Sequence, residues 1–236
     1  MPPLVLSAVA SSCQLLIVIA SAWDSRAAQL QRFERANSTA EWLPVGALIA
    51  VSLGKSGLAW GRGLHPQLAE PGPTKREGDA CAPAGVFAIS TLFGYDVPDK
   101  AFARAAKLPY LQASADLKAI DDPASRYYNQ IVDQSLIAQL DWASCEDMLR
   151  DDQRYALGAA VAHNSEIPVP GAGSCIFLHV WEKKGAPTAG CTAMTLVDMR
   201  EIANWLDGAA APLLVQLPFA EYERMREGWG LPVFSS

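Results

Sequence analysis

The chain has 236 residues, 50% of them hydrophobic and 19% charged, which is enough apolar material for one sizeable core and too much for a disordered chain. Its net charge is −6 and no run of Lys or Arg occurs, so the phosphate-neutralising surface that nucleic-acid binding requires is missing.

The first charged side chain is Asp24. The uncharged stretch before it contains two small-residue patterns, Ala8-Val9-Ala10 and Ala20-Ser21-Ala22, of the kind that signal cleavage uses, but no basic residue at its start. Ser and Gln interrupt it, so no stable membrane span is expected. Residues 1–13 are expected to be a truncated or degenerate signal segment, with a single domain over 14–236.

"QLLIVIASAWDSRAAQLQRFER" predicts a hairpin, since a β-rich run is followed by turn residues and an alternating run. "GALIAVSLGK" adds a third strand closed by Gly54, so the sheet is expected to be mixed or antiparallel. Residues 56–83 hold many Gly and Pro residues with little periodicity and read as a long surface segment. "GVFAI" restores a strand and "DKAFARAAKL" a short helix. "RYYNQIVDQ" and "SCEDMLRDDQRY" read as loop, with a helical turn over 144–149 in which Ser144 and Asp147 match a capping box.

"YALGAAVAHN" predicts a buried strand. "SCIFLHV" predicts another, with Cys175, Phe177 and His179 on one face and Ile176, Leu178 and Val180 on the other. In "TLVDMREIANWLD", Met199, Ile202, Ala203 and Leu206 stand at helical spacing behind a Thr195–Asp198 capping box. "PLLVQLP" is a last strand.

Five cysteines are present and no C-x-x-C pair, so neither a metal nor any other cofactor is expected. In an exported protein Cys13, Cys81, Cys145 and Cys175 have three ways to form two bridges, with Cys191 left free. Cys191 lies in "PTAGC", twelve positions after His179. An isolated cysteine is most often a small buried hydrophobe, and an isolated strand histidine a packed core residue. The other reading is a nucleophile with its base: imidazole favours the thiolate, Gly190 allows an unusual backbone, and amides of such a turn can face an oxyanion. The Thr188 hydroxyl can orient the turn, in which Ala189 also lies.

The segment "IFLHVWEKKGAPTAGCTAM" resembles the His-(x)n-[Ser/Thr]-x-Gly-Cys signature of the YkuD-type L,D-transpeptidase catalytic domain, with His179, Thr188, Gly190 and Cys191 at the matching positions. "VSLGKSGLAWG" and "KREGDACAPAGVFAI" look like that family's Gly-Lys turn and Pro-x-Gly-x-Phe loop, here Pro83, Gly85 and Phe87, so the resemblance spans about residues 14–217. Two positions depart from the common pattern: Val180 stands where a glycine follows the histidine, and Ala193 where an arginine follows the cysteine. The second bears on substrate preference more than on the chemistry.

The resemblance implies a mainly β (β-rich α+β) fold, a mixed β-sandwich with short helices packed on its sheets. It implies a monomeric periplasmic or cell-envelope enzyme of peptidoglycan and cell-wall biogenesis. Cys191 would carry a stem peptide as a thioacyl-enzyme, His179 would be the base, and transfer to an amine would give 3→3 cross-links. Transfer to water would make an L,D-carboxypeptidase, and loss of turnover a silent wall-binding module. Pro83, Gly85, Phe87 and His163 are expected on the substrate side. His65 reads as structural, Lys75, Glu77 and Asp79 as a solvated charged loop, and Tyr127, Tyr128 and Trp142 as half-buried packing.

Overall fold

A computed structural model gives the fold, and it describes residues 4–66, 71–97 and 100–234. In chain order come α1 (Leu4–Ser11), β1 (Gln14–Ala20), β2 (Ala27–Glu34), β3 (Leu43–Ser52), β4 (Leu58–Trp60) and β5 (Ala82–Gly94). Next are α2 (Ala101–Ala105), β6 (Tyr110–Gln112), β7 (Leu117–Ala119), β8 (Ile131–Asp133) and β9 (Glu146–Asp147). The last third holds β10 (Leu157–Val161), β11 (Phe177–Val180), β12 (Thr192–Met194), α3 (Leu196–Trp205), β13 (Leu213–Pro218) and α4 (Phe219–Trp229).

The apolar, β-branched β1 is buried along its whole length, because it pairs antiparallel with β2 and parallel with β13. The main sheet runs β10-β11-β12-β3-β2-β1-β13-β5-β4, and β10 pairs with β5 as well as with β11. That extra pairing closes the sheet on itself, and the fold is the mainly β, sandwich-like one expected. A separate sheet of order β8-β7-β9 lies outside it.

Alternation along β11 divides the interior in two. Ile176, Leu178 and Val180 join the main core, whereas Cys175 and Phe177 join a second cluster with Phe93, Leu117, Met148, Tyr155 and Cys191. The second cluster draws on β5, β7 and β11, so the small sheet covers the cysteine. α3 packs on β10 and β11. Its Thr195 cap accepts a hydrogen bond from the Asp198 amide, as the capping box predicts.

Several expectations need correction. Residues 144–149 form no helical turn: Glu146 and Asp147 make β9 against β7, Asp147 pairs with Lys118, and Glu146 accepts from the Tyr155 hydroxyl. Those long-range partners outweigh a local capping pattern. Residues 56–83 are not simply a surface segment, since they include β4 and bury His65 and Lys75. Lys75 is held by the Asp79 carboxylate and the Arg76 carbonyl, and Glu77 accepts from Tyr128 and Ser174, so this charged loop is internally paired rather than solvated. All five cysteines are free thiols.

The C-terminal helix α4 went unread in the sequence, although Tyr222, Met225 and Trp229 form its buried stripe. It packs on α1, β1 and β13. The segment expected as a signal remnant is helical from Leu4, buries Val9 and Ser12, and has its last carbonyls capped by Arg35, whose guanidinium donates to Val9, Ala10 and Ser12.

Gly85 shows what holds β5 in place. It has φ +136°, and an added Cβ would lie 2.0 Å from His65 Cε1. Gly85→Ala is therefore expected to destabilise the fold by about 3 kcal/mol. Thermal melting should show a midpoint roughly 10 °C lower, and an unchanged midpoint would mean that His65 moves aside freely.

Candidate active site

β11 and β12 run parallel, with Leu178 beside Thr192 and His179 beside Ala193. Cys191 immediately precedes β12, one row back, abreast of Phe177. Sheet spacings put the Cα atoms of His179 and Cys191 about 8 Å apart along the diagonal. Both side chains line one cavity of about 210 Å³.

The turn before Cys191 is built from its own residues and from the end of β3. The Thr188 hydroxyl donates to the Cys191 carbonyl at 2.6 Å and accepts from the Gly190 amide at 3.1 Å. Thr188 also pairs with the Gly54 region, its amide donating to Leu53 O and its carbonyl accepting from the Lys55 amide. Gly190 sits at φ +156° with its Cβ position 3.1 Å from the Cys81 carbonyl, a close approach that suits glycine. Beyond the cysteine, buried Thr192 donates to Gln216, which donates to Pro83 O, tying β12 to β13 and β5.

The thiol is buried. Cys191 Sγ accepts from the Phe177 amide at 3.3 Å and donates to the Cys175 carbonyl at 3.6 Å. Cys175 has a left-handed backbone, φ 54°, held by the Asn129 side chain, which accepts from its amide. Burial first, and then the nearby Glu146 carboxylate, push the Cys191 thiol up to about 12, against the opposing pull of the Phe177 amide and Lys75. Burial lowers His179 to about 4, and Arg154 and Arg150 add to the lowering while its bond to Val180 opposes it. The resting pair is thus thiol and neutral imidazole, not thiolate and imidazolium. The His179 Nδ1–H donates to the Val180 carbonyl at 2.7 Å, which leaves Nε2 as the basic nitrogen.

Sequence reasoning missed the rest of the cavity wall. Glu146, Arg150, Arg154 and Tyr155, all from the segment read as polar loop, line it together with Trp181. Tyr155 stacks edge-on against His179 at 5.5 Å and Arg150 lies over the Tyr155 ring at 5.3 Å. The available signal was the pair of arginines flanking acidic residues in "RDDQR", which reads as a solvated charge run when taken alone. Ala189 and Thr188 are on the rim, as is Pro187.

The residues expected on the substrate side lie elsewhere. Pro83 is buried in β5, paired in register with Ala59. Gly85 faces His65, and Phe87 is fully buried between His65 and His163. Pro83 and Phe87 crowd Gly61, whose Cβ position lies 2.8 Å from Pro83 and 2.9 Å from Phe87, so these side chains pack in the interior. His163 is buried: its Nδ1 accepts from the Arg62 amide and its Nε2–H donates to Ala172 O. It borders a different cavity, of about 430 Å³, together with Cys175 and Phe177. His65 is likewise structural, with Nδ1 accepting from the Val86 amide and Nε2–H donating to Gly61 O. Tyr127 and Trp142 stack on each other away from Cys191.

A family model described as the L,D-transpeptidase catalytic domain, YkuD, matches residues 23–215. The chain belongs to this family. No curated protein and no solved structure matches it. The L,D-transpeptidase-type domain acts on peptidoglycan, and its substrates are stem peptides. Among the described residues no group of three or more His, Cys, Asp or Glu is placed to hold a metal ion, and no helix is long and apolar enough to cross a membrane. The cavity shared by Cys191 and His179 has Ala193 on its wall, and its arginines come from the β9–β10 connection.

Proposed function

We propose that the chain is a cysteine acyltransferase of peptidoglycan stem peptides, an L,D-transpeptidase that forms 3→3 cross-links through a thioacyl-enzyme on Cys191. The observation that carries this reading is the shared cavity of Cys191 and His179, with the imidazole tautomer set by Val180 so that Nε2 is the proton acceptor. The thiol leaves its resting bond to Cys175 O, and Sγ attacks the carbonyl of the diamino-acid residue as its proton passes to His179 Nε2. The Cys191 amide stabilises the oxyanion, the Gly190 amide being taken up by the Thr188 hydroxyl. Collapse breaks the C–N bond, His179 returns the proton to the leaving D-alanine amine, and a thioester remains. An acceptor amine then attacks the thioester, its proton passing through His179 to the released thiol.

Water in place of the amine gives L,D-carboxypeptidase activity. One observation favours it: the cavity of about 210 Å³ is small beside the roughly 300–1,000 Å³ usual for ligand sites, and water needs less room than a second stem. Because its substrate lies outside the cytoplasmic membrane, the protein is proposed to work in the cell envelope.

Purified protein incubated with tetrapeptide muropeptides and read by mass spectrometry separates these outcomes. Dimers with released D-alanine support the transpeptidase, and tripeptides without dimers support the carboxypeptidase. Unchanged substrate across several stem chemistries would leave only the silent wall-binding module.

A further inference from the structure

Two cationic side chains occupy the cavity wall where none is supplied by β12. Arg150 and Arg154 project from the β9–β10 connection and share one carboxylate, that of Asp152. Arg154 Nε donates to Asp152 Oδ2 at 2.7 Å, and the Arg154 amide to Oδ1 at 2.9 Å. Arg150 Nη2 reaches Oδ2 at 3.2 Å, with Nε at 3.3 Å from both oxygens. Although partial desolvation opposes it, the hydrogen bonds from Arg154 and Arg150 hold the Asp152 carboxyl well below the usual carboxylate range, so the group stays charged. It orders both forks without consuming them, since a guanidinium carries five N–H donors.

The forks keep donors to spare. The arginine side chains are 28% and 38% exposed and line the cavity, where the Glu146 carboxylate also acts on Arg150 through space. Glu146, half-buried on the wall, accepts from the Tyr155 hydroxyl, and Glu182 is exposed on the rim. Planar forks held rigid beside a reacting centre match a carboxylate better than any other common peptide group.

We propose that Arg150 and Arg154 bind a free carboxylate of the acyl donor, fixing its scissile carbonyl near Cys191, on the side where Ala193 contributes no charge. The proposal rests on the acyl-transfer reading of Cys191. The free carboxylates of a stem tetrapeptide, among them that of the terminal residue to be expelled and that on the side chain of the diamino acid, present the same chemistry.

Binding can be measured apart from turnover, in Cys191→Ala protein, with synthetic tetrapeptides that are free acids at every carboxyl, amidated at one, or amidated at all. Amidation of the bound carboxylate is expected to weaken binding about 10- to 100-fold, and the singly amidated peptides show which carboxylate it is. Adding Arg150→Gln with Arg154→Gln should remove that preference, with circular dichroism confirming the fold. Arg150→Lys with Arg154→Lys, which keeps charge but not the fork, should recover only part of it. A preference for free acids that survives the Gln pair, or equal binding of all the peptides, or no binding of any, overturns the proposal. Failure of the acyl-transfer reading is seen separately, as absence of turnover by the Cys191 protein.

Discussion

Cys191→Ala is expected to lower acyl transfer from a stem tetrapeptide by at least about 10,000-fold, because it removes the atom to which the acyl group is bonded. The fold should survive the change. Its structural effect is the loss of the acceptor for the Phe177 amide, about 1–2 kcal/mol for one unpaired buried N–H. His179→Gln should lose about 100- to 10,000-fold, the usual range for removal of a general base. The pH profile carries the sharper test. Burial lowers His179 to about 4, so Nε2 remains free to accept a proton well below pH 6.5. While the fold persists, kcat/KM for the native protein is expected to pass pH 6.5 without an acid limb, and an acid limb near 6.5 that disappears in His179→Gln would show an imidazole in contact with water.

Acid should also unfold the protein unusually early. Burial lowers both His163 and His179 to about 4, and His65 is lowered as well. Each folded value lies below the unfolded value of about 6.5, so as pH falls the unfolded chain binds protons first. The contribution of these neutral imidazoles is complete above about pH 6.5 and is lost progressively down to about pH 4. The loss is about 3 kcal/mol for each of His163 and His179, a large share of the roughly 5–15 kcal/mol that holds a domain together. Urea denaturation at a series of pH values between 7 and 4 should show the decline, and His163→Gln should reduce its slope by somewhat less than half, since His65 and His179 remain. Stability that stays level over that interval would mean that water reaches these rings.

Much of the frame was legible because local pattern and tertiary role agree. The β1–β2 hairpin follows from an apolar run, a polar turn and an alternating run, and α3 from apolar spacing behind a cap that forms as predicted. The alternation in "SCIFLHV" is deeper than a strand assignment, since its two faces enter two different core clusters, one of which contains Cys191. The turn "PTAGC" was legible too, its Thr188 hydroxyl bracing both Gly190 and Cys191.

The remainder depended on partners distant in the chain. Ser144 and Asp147 match a capping box, yet β7 and Tyr155 recruit this segment into a strand. Lys75, Glu77 and Asp79 read as solvated because each is charged, and the structure pairs them in an internal network. Pro83, Gly85 and Phe87 read as substrate contacts from a motif, and the fold sets them against Gly61, His65 and His163 in the interior. Arg150 and Arg154 lie some forty residues before Cys191, and only the fold brings them to its cavity.

Intact-protein mass spectrometry of the chain mixed with a stem tetrapeptide tests the central claim most directly. The predicted result is a covalent adduct equal to the donor less its terminal residue, mapped by digestion to the peptide containing Cys191 and missing from Cys191→Ala. An adduct on a different residue, or turnover that persists in Cys191→Ala, would contradict it.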